Sequence, residues 1–136
     1  MKKYLSVILA FALVITLSAC SGGISGDEAK TLINDFFEAV ESGDYAAAET
    51  FLHPERPADL QAFFEGIEQE NNLDFSTVEI EKYTGFESAL YDSTVDGSVY
   101  SLTMKLSVSG QTVKSEIEIV KNDSGYGIYN LNVDTD

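Results

Sequence analysis

The sequence predicts an α+β domain, with N-terminal helices packed on a curved antiparallel sheet of four to five strands. Three observations carry this. Ala29, Leu32, Ile33, Phe36, Phe37 and Val40 recur at the spacing of one helical face. From Phe75 onward the period changes to the strict alternation of a half-buried strand. Helices first and strands after them fit one layer of each around a shared core.

Taken in order, residues 21–26 (Ser-Gly-Gly-Ile-Ser-Gly) form a short flexible tether. Ser25 followed by Glu28 is a capping-box signal, with Asp27 and Glu28 well placed near the positive end of a helix. Gly43 ends this helix. Asp44 is suited to cap a second, over residues 45–52, which His53-Pro54 stops because proline disfavours a helical residue before it. Pro57 suits the first turn of a third helix, with Leu60, Phe63, Phe64 and Ile67 inward and Asn71-Asn72 at its end.

Val78 and Ile80 between Glu79 and Glu81 read as a strand with one wet face, and residues 89–95 as a weaker one closed by Asp96-Gly97. Tyr100, Leu102, Met104, Leu106 and Val108 alternate with polar neighbours and make the strongest strand. Val113, Ile117 and Ile119 against Lys114, Glu116 and Glu118 give the next. Asn122-Asp123-Ser124-Gly125 turns the chain into a last strand carrying Tyr129, Leu131 and Val133.

The N-terminus carries a different signal. Lys2-Lys3 precede an apolar run over residues 5–15, which is too short to span a bilayer comfortably, since that takes roughly 20 apolar residues. Leu17-Ser18-Ala19-Cys20 follows, and Cys20 is the chain's one cysteine. This tetrapeptide resembles the lipobox of bacterial lipoproteins at every position. The resemblance implies a diacylglyceryl group on the Cys20 thiol, cleavage between Ala19 and Cys20, and a protein held by lipid at the extracytoplasmic face of a cell membrane. A thiolate is a good nucleophile for that alkylation. Two acyl chains also anchor durably where one binds only marginally. The expected organisation is a signal peptide over 1–19, a lipidated tether over 20–26 and one domain over 27–136. With Cys20 lipidated, no thiol remains for a disulfide, a thiol catalyst or a cysteine-based zinc site.

Composition narrows the partners. The formal charge is −15, and loss of Lys2 and Lys3 leaves 6 basic against 23 acidic residues, or −17. Such a field repels nucleic acid and excludes it as a partner. A hydrophobic content of 44% with 8 Phe and 7 Tyr belongs to a folded domain.

Residues 36–48 (Phe-Phe-Glu-Ala-Val-Glu-Ser-Gly-Asp-Tyr-Ala-Ala-Ala) resemble the opening of small nuclear-transport-factor-2-like (cystatin-like) domains. Residues 120–128 (Val-Lys-Asn-Asp-Ser-Gly-Tyr-Gly-Ile) are similar to their final hairpin, with Tyr126 where a tryptophan is commoner. The resemblance implies a cone, in which a bent sheet wraps a long helix and a pocket opens at one end. Many enzymes of this class insert a strand earlier, whereas here three helices precede every strand.

No catalytic set stands out. His53, the one histidine, would need an acid or nucleophile within hydrogen-bond reach to act as a base, and Glu55 is the nearest acid in sequence. At a helix end beside a proline it reads as a cap or surface residue. Phe37, Tyr45, Tyr83, Tyr100 and Tyr129 are the candidates for lining a pocket, although strand tyrosines are more often packing residues with a polar tip at the rim. Residues 92–97 hold oxygen ligands without the spacing or terminal glutamate of a calcium loop. No metal and no cofactor is expected. Three roles follow: a module binding a small ligand or another envelope protein; an isomerase- or hydrolase-like enzyme, requiring a buried acid or an inward His53; or a purely structural interaction module, requiring a filled interior and an exposed apolar patch.

Overall fold

The computed structural model describes residues 23–135. The leader, Ala19 and Cys20 lie outside the described residues. Three helices come first, α1 (Gly26–Glu41), α2 (Tyr45–Glu49) and α3 (Leu60–Asn71). A single 3₁₀ turn, Phe75–Thr77, leads into four strands. These are β1 (Glu79–Asp92), β2 (Gly97–Val108), β3 (Gln111–Asn122) and β4 (Gly125–Asp134). They pair antiparallel in the order β1-β2-β3-β4, forming a curved, unclosed sheet with β1 and β4 at its edges.

Caps fix the helix starts. The Ser25 hydroxyl accepts from the Glu28 N–H at 3.1 Å, and α1 then buries Ala29, Ile33, Phe36, Phe37 and Val40. Gly43 ends the run with φ +75, the left-handed conformation that glycine takes at least cost. Asp44 accepts from the Ala47 N–H at 3.1 Å and starts α2, which is shorter than residues 45–52. Phe51 and Leu52 leave the helix because their backbone is used elsewhere: Leu52 forms a parallel bridge with Ile128 of β4. The third helix starts later than Pro57 suggests. Asp59 caps it, accepting from the Ala62 N–H at 3.1 Å, and Pro57 stays in the preceding loop. A side-chain acceptor for an orphan N–H outweighs a preset φ.

β1 departs most from expectation. In place of two short strands there is one 14-residue strand, with register shifts between Ile80 and Lys82, Tyr83 and Gly85, and Ala89 and Asp92. Each irregularity bends the strand and breaks the two-residue period that would have announced it. β2 and β3 keep clean alternation, pairing Leu106 with Val113, Leu102 with Ile117 and Tyr100 with Ile119. Ser115 is buried in this face, and its hydroxyl donates to the Asn132 carbonyl at 2.9 Å.

The core lies between the helices and one face of the curved sheet. Phe36, Phe64, Phe75, Met104, Leu106, Ile117, Ile119 and Ile128 are all buried there. Phe64 is the hub, with ring centroids 4.8 Å from Phe75, 6.0 Å from Tyr45 and 6.3 Å from Phe36. One side chain thereby joins all three helices to the 3₁₀ turn. Phe64→Ala should cost about 3–5 kcal/mol of unfolding free energy in urea denaturation. Phe63→Ala, at a ring 36% exposed, should cost less than half as much; equal losses would contradict this placement of the core.

Candidate functional site

The loop between α2 and α3 is tied to the sheet by a network of polar contacts. His53 precedes Pro54, which restricts it to extended backbone. Its N–H donates to the Ile128 carbonyl at 2.8 Å, and the Ile128 N–H donates to the Phe51 carbonyl at 2.8 Å. The loop thus lies along the free edge of β4. Gly127 permits the approach: a Cβ there would stand 2.7 Å from both the His53 nitrogen and the Phe51 oxygen.

His53 is buried, at 1% exposure, so it is not the surface or capping residue that its sequence context suggests. Its Nδ1 accepts from the Glu55 N–H at 3.0 Å, which leaves Nε2 to donate to Asn122 Oδ1 at 2.9 Å. These partners assign the neutral tautomer protonated on Nε2. Both nitrogens are engaged inside the protein, and neither faces a site that a substrate could enter.

Asn122 is the other half of this joint. Its Oδ1 also accepts from the Ser124 and Gly125 N–H groups at 3.0 and 3.2 Å, and its Nδ2 donates to the Val95 carbonyl at 2.8 Å. One amide thus ties the α2–α3 loop, the β1–β2 turn and the β3–β4 turn together. Turn chemistry accounts for Asn122 within its own hairpin, but nothing in the sequence announces its other two partners.

Beside this joint lies a groove of about 210 Å³, walled by Leu52, Pro57, Phe63, Tyr129 and Leu131. Arg56, the chain's one arginine, stands at its mouth with its guanidinium 4.3 Å from the Tyr129 ring centroid. The His53 and Tyr129 rings meet edge to face with centroids 5.3 Å apart, and the Tyr129 hydroxyl donates to Glu55 at 3.3 Å. Hydrogen bonds, first from Ser124 and then from Tyr129 and Asn122, hold the Glu55 carboxyl below the usual carboxylate range. Pockets for whole small molecules usually measure about 300–1,000 Å³. This groove is smaller, and suits one or two side chains.

The five aromatic candidates do not meet. Tyr129 lines the groove just described. Phe37, buried against Phe36, lines a separate shallow groove of about 290 Å³ with Glu38, Glu41, Val78 and Glu79. Tyr45 stacks on Phe64, and burial, with Glu68, Glu65 and Asp74 beyond it, raises its hydroxyl pKa. Tyr83 lies under the Lys30 amine at 5.2 Å; its hydroxyl is raised by burial and has no hydrogen-bond partner among the described residues. Tyr100 stacks on Phe86 at 5.8 Å. Among the described residues no group of three or more His, Cys, Asp or Glu side chains is placed to hold a metal ion. No helix among them is long and apolar enough to cross a membrane.

No protein-family model, no curated protein and no solved structure matches this chain.

Two outcomes test the joint. Gly127→Ala should destabilise the protein by about 1–3 kcal/mol in chemical denaturation, because its Cβ meets backbone that has no rotamer to yield. The Glu55 carboxyl is depressed in the folded state, so its contribution is complete above the ordinary carboxylate pKa and is lost as pH falls through the lower folded value. Glu55→Gln should therefore flatten the acid side of the melting-temperature profile. An unchanged acid limb would show that Glu55 contributes nothing there.

Proposed function

We propose that this chain is a lipid-anchored extracytoplasmic protein whose domain acts by binding another envelope protein at its outer surface. The location rests on the lipobox resemblance of Leu17-Ser18-Ala19-Cys20, and the fold expected of a nuclear-transport-factor-2-like lipoprotein agrees with helices laid on a curved meander. One observation carries the mode of action. The concave space in which relatives of that fold would hold a small ligand is occupied by Phe36, Phe64, Phe75, Met104 and Ile117.

The chemistry points the same way. An acid–base enzyme of this fold would use an inward histidine or a carboxyl raised by burial. His53 spends both nitrogens on Glu55 and Asn122. The carboxyls displaced from their ordinary values, those of Glu55, Asp74 and Asp92, all move downward through hydrogen bonds. The Arg56–Tyr129 groove accepts a side chain, and the negative surface favours a partner with a basic face.

Location and role are tested separately. Cys20→Ser should release the protein from the membrane fraction or leave its leader uncut; a variant processed and retained as before would overturn the anchored reading. A photo-cross-linker at Asn130, on the groove wall, should give a discrete protein adduct that Phe63→Glu abolishes. A cross-linker at Glu116 should not. Equal adducts from both positions would overturn the groove as the contact.

A further inference from the structure

Exposed large apolar side chains are concentrated at one place. Phe86, Leu90 and Tyr91, at 66, 81 and 63% exposure, fall within six residues near the turn of the β1–β2 hairpin. Phe86 pairs with Leu102, and cross-strand partners share a face. Leu102 is buried under the helices, so Phe86 extends the core face of the sheet beyond their cover. Tyr100 stacks on Phe86 there.

The start of the described chain lies against this patch. A Cβ on Gly23 would stand 2.8 Å from the Leu90 side chain, and one on Gly26 would stand 2.9 Å from the Tyr100 hydroxyl. Cys20 is three residues before Gly23. At about 3.6 Å per extended residue, it lies within roughly 11 Å of Gly23 whatever path those residues take.

We propose that this end of the hairpin rests in the surface of the phospholipid bilayer beside the anchor, with Leu90, Phe86 and Tyr91 in the boundary between headgroups and acyl chains. The inference rests on the lipid-anchored reading. A tether this short leaves the patch at headgroup depth, where apolar and tyrosine side chains partition favourably. Charge sets the limit of immersion. Glu87, Asp92 and Asp96 flank the patch, the Tyr91 hydroxyl donates to Asp96 at 2.7 Å, and these carboxylates stay in water. The contact is therefore shallow, and it orients the domain with its hairpin down.

The chain has no tryptophan, so one introduced residue reports its own depth. Full-length protein carrying Leu90→Trp, extracted with its lipid and reconstituted into phosphatidylcholine vesicles with brominated acyl chains, should emit further to the blue than Glu65→Trp on α3. It should also be quenched several-fold more strongly. A Ser93→Trp reporter in the turn should lose most of its quenching when Leu90→Asp is added, which separates the pull of the native patch from that of tryptophan itself. Protein that floats with the vesicles while Leu90→Trp behaves like Glu65→Trp overturns this inference and leaves the anchor standing. Protein that fails to float overturns the anchored reading, and this inference with it. Blue emission that bromine does not quench and that grows with protein concentration places a second protein copy on the patch and overturns the lipid contact.

Discussion

The structure depends on burying one helical stripe. Ala29, Ile33, Phe36, Phe37 and Val40 of α1 face a sheet whose inward positions are Leu102, Met104, Leu106, Val113, Ile117 and Ile119. With Cys20 the only cysteine, no disulfide can be drawn within the domain, so the core must supply what many small domains take from cross-links. Each buried leucine or phenylalanine contributes about 1.5–3 kcal/mol. The aromatic hub around Phe64 makes that possible in a chain of this length. It also fills the space between helices and sheet, so stability and an internal pocket compete for the same volume.

The two edges of the sheet are treated differently. β4 is partly covered by the loop through Phe51, Leu52 and His53, which the His53–Asn122 bond and the absence of a Gly127 side chain hold in place. β1 has no further strand beside it among the described residues and is strongly bulged, and its second half is exposed on both faces. An open edge invites pairing with other chains unless it is bent, charged or covered. The register shifts bend β1, and a bilayer beside the hairpin would cover the apolar part. The two edges thus differ in character, with a polar joint at β4 and an apolar tip at β1.

Much of the fold was legible because its signals are local. Ser25 and Asp44 cap the helices they precede, and β2 and β3 keep a two-residue period undisturbed by bulges. Where local signals competed, the wrong one was the more conspicuous: Pro57 reads as a helix start, yet the Asp59 carboxylate is what satisfies an orphan N–H. β1 reads as two strands because its bulges erase the alternation that defines one. The site was much less legible. His53 looks solvent-facing from its neighbours, yet it is buried with its ring bonded to Asn122, 69 residues away. The five aromatic candidates follow from residue type alone, and their actual partners Phe36, Phe64, Lys30, Phe86 and Arg56 are set by packing that no spacing encodes.

A domain whose interior is filled by its own side chains leaves no room inside for a small ligand. Native mass spectrometry of the protein extracted intact from its membrane tests this most directly. The account predicts a mass equal to the polypeptide from Cys20 onward plus its acyl anchor, unchanged when the protein is denatured. A further small molecule, retained under native conditions and released on unfolding, would contradict it.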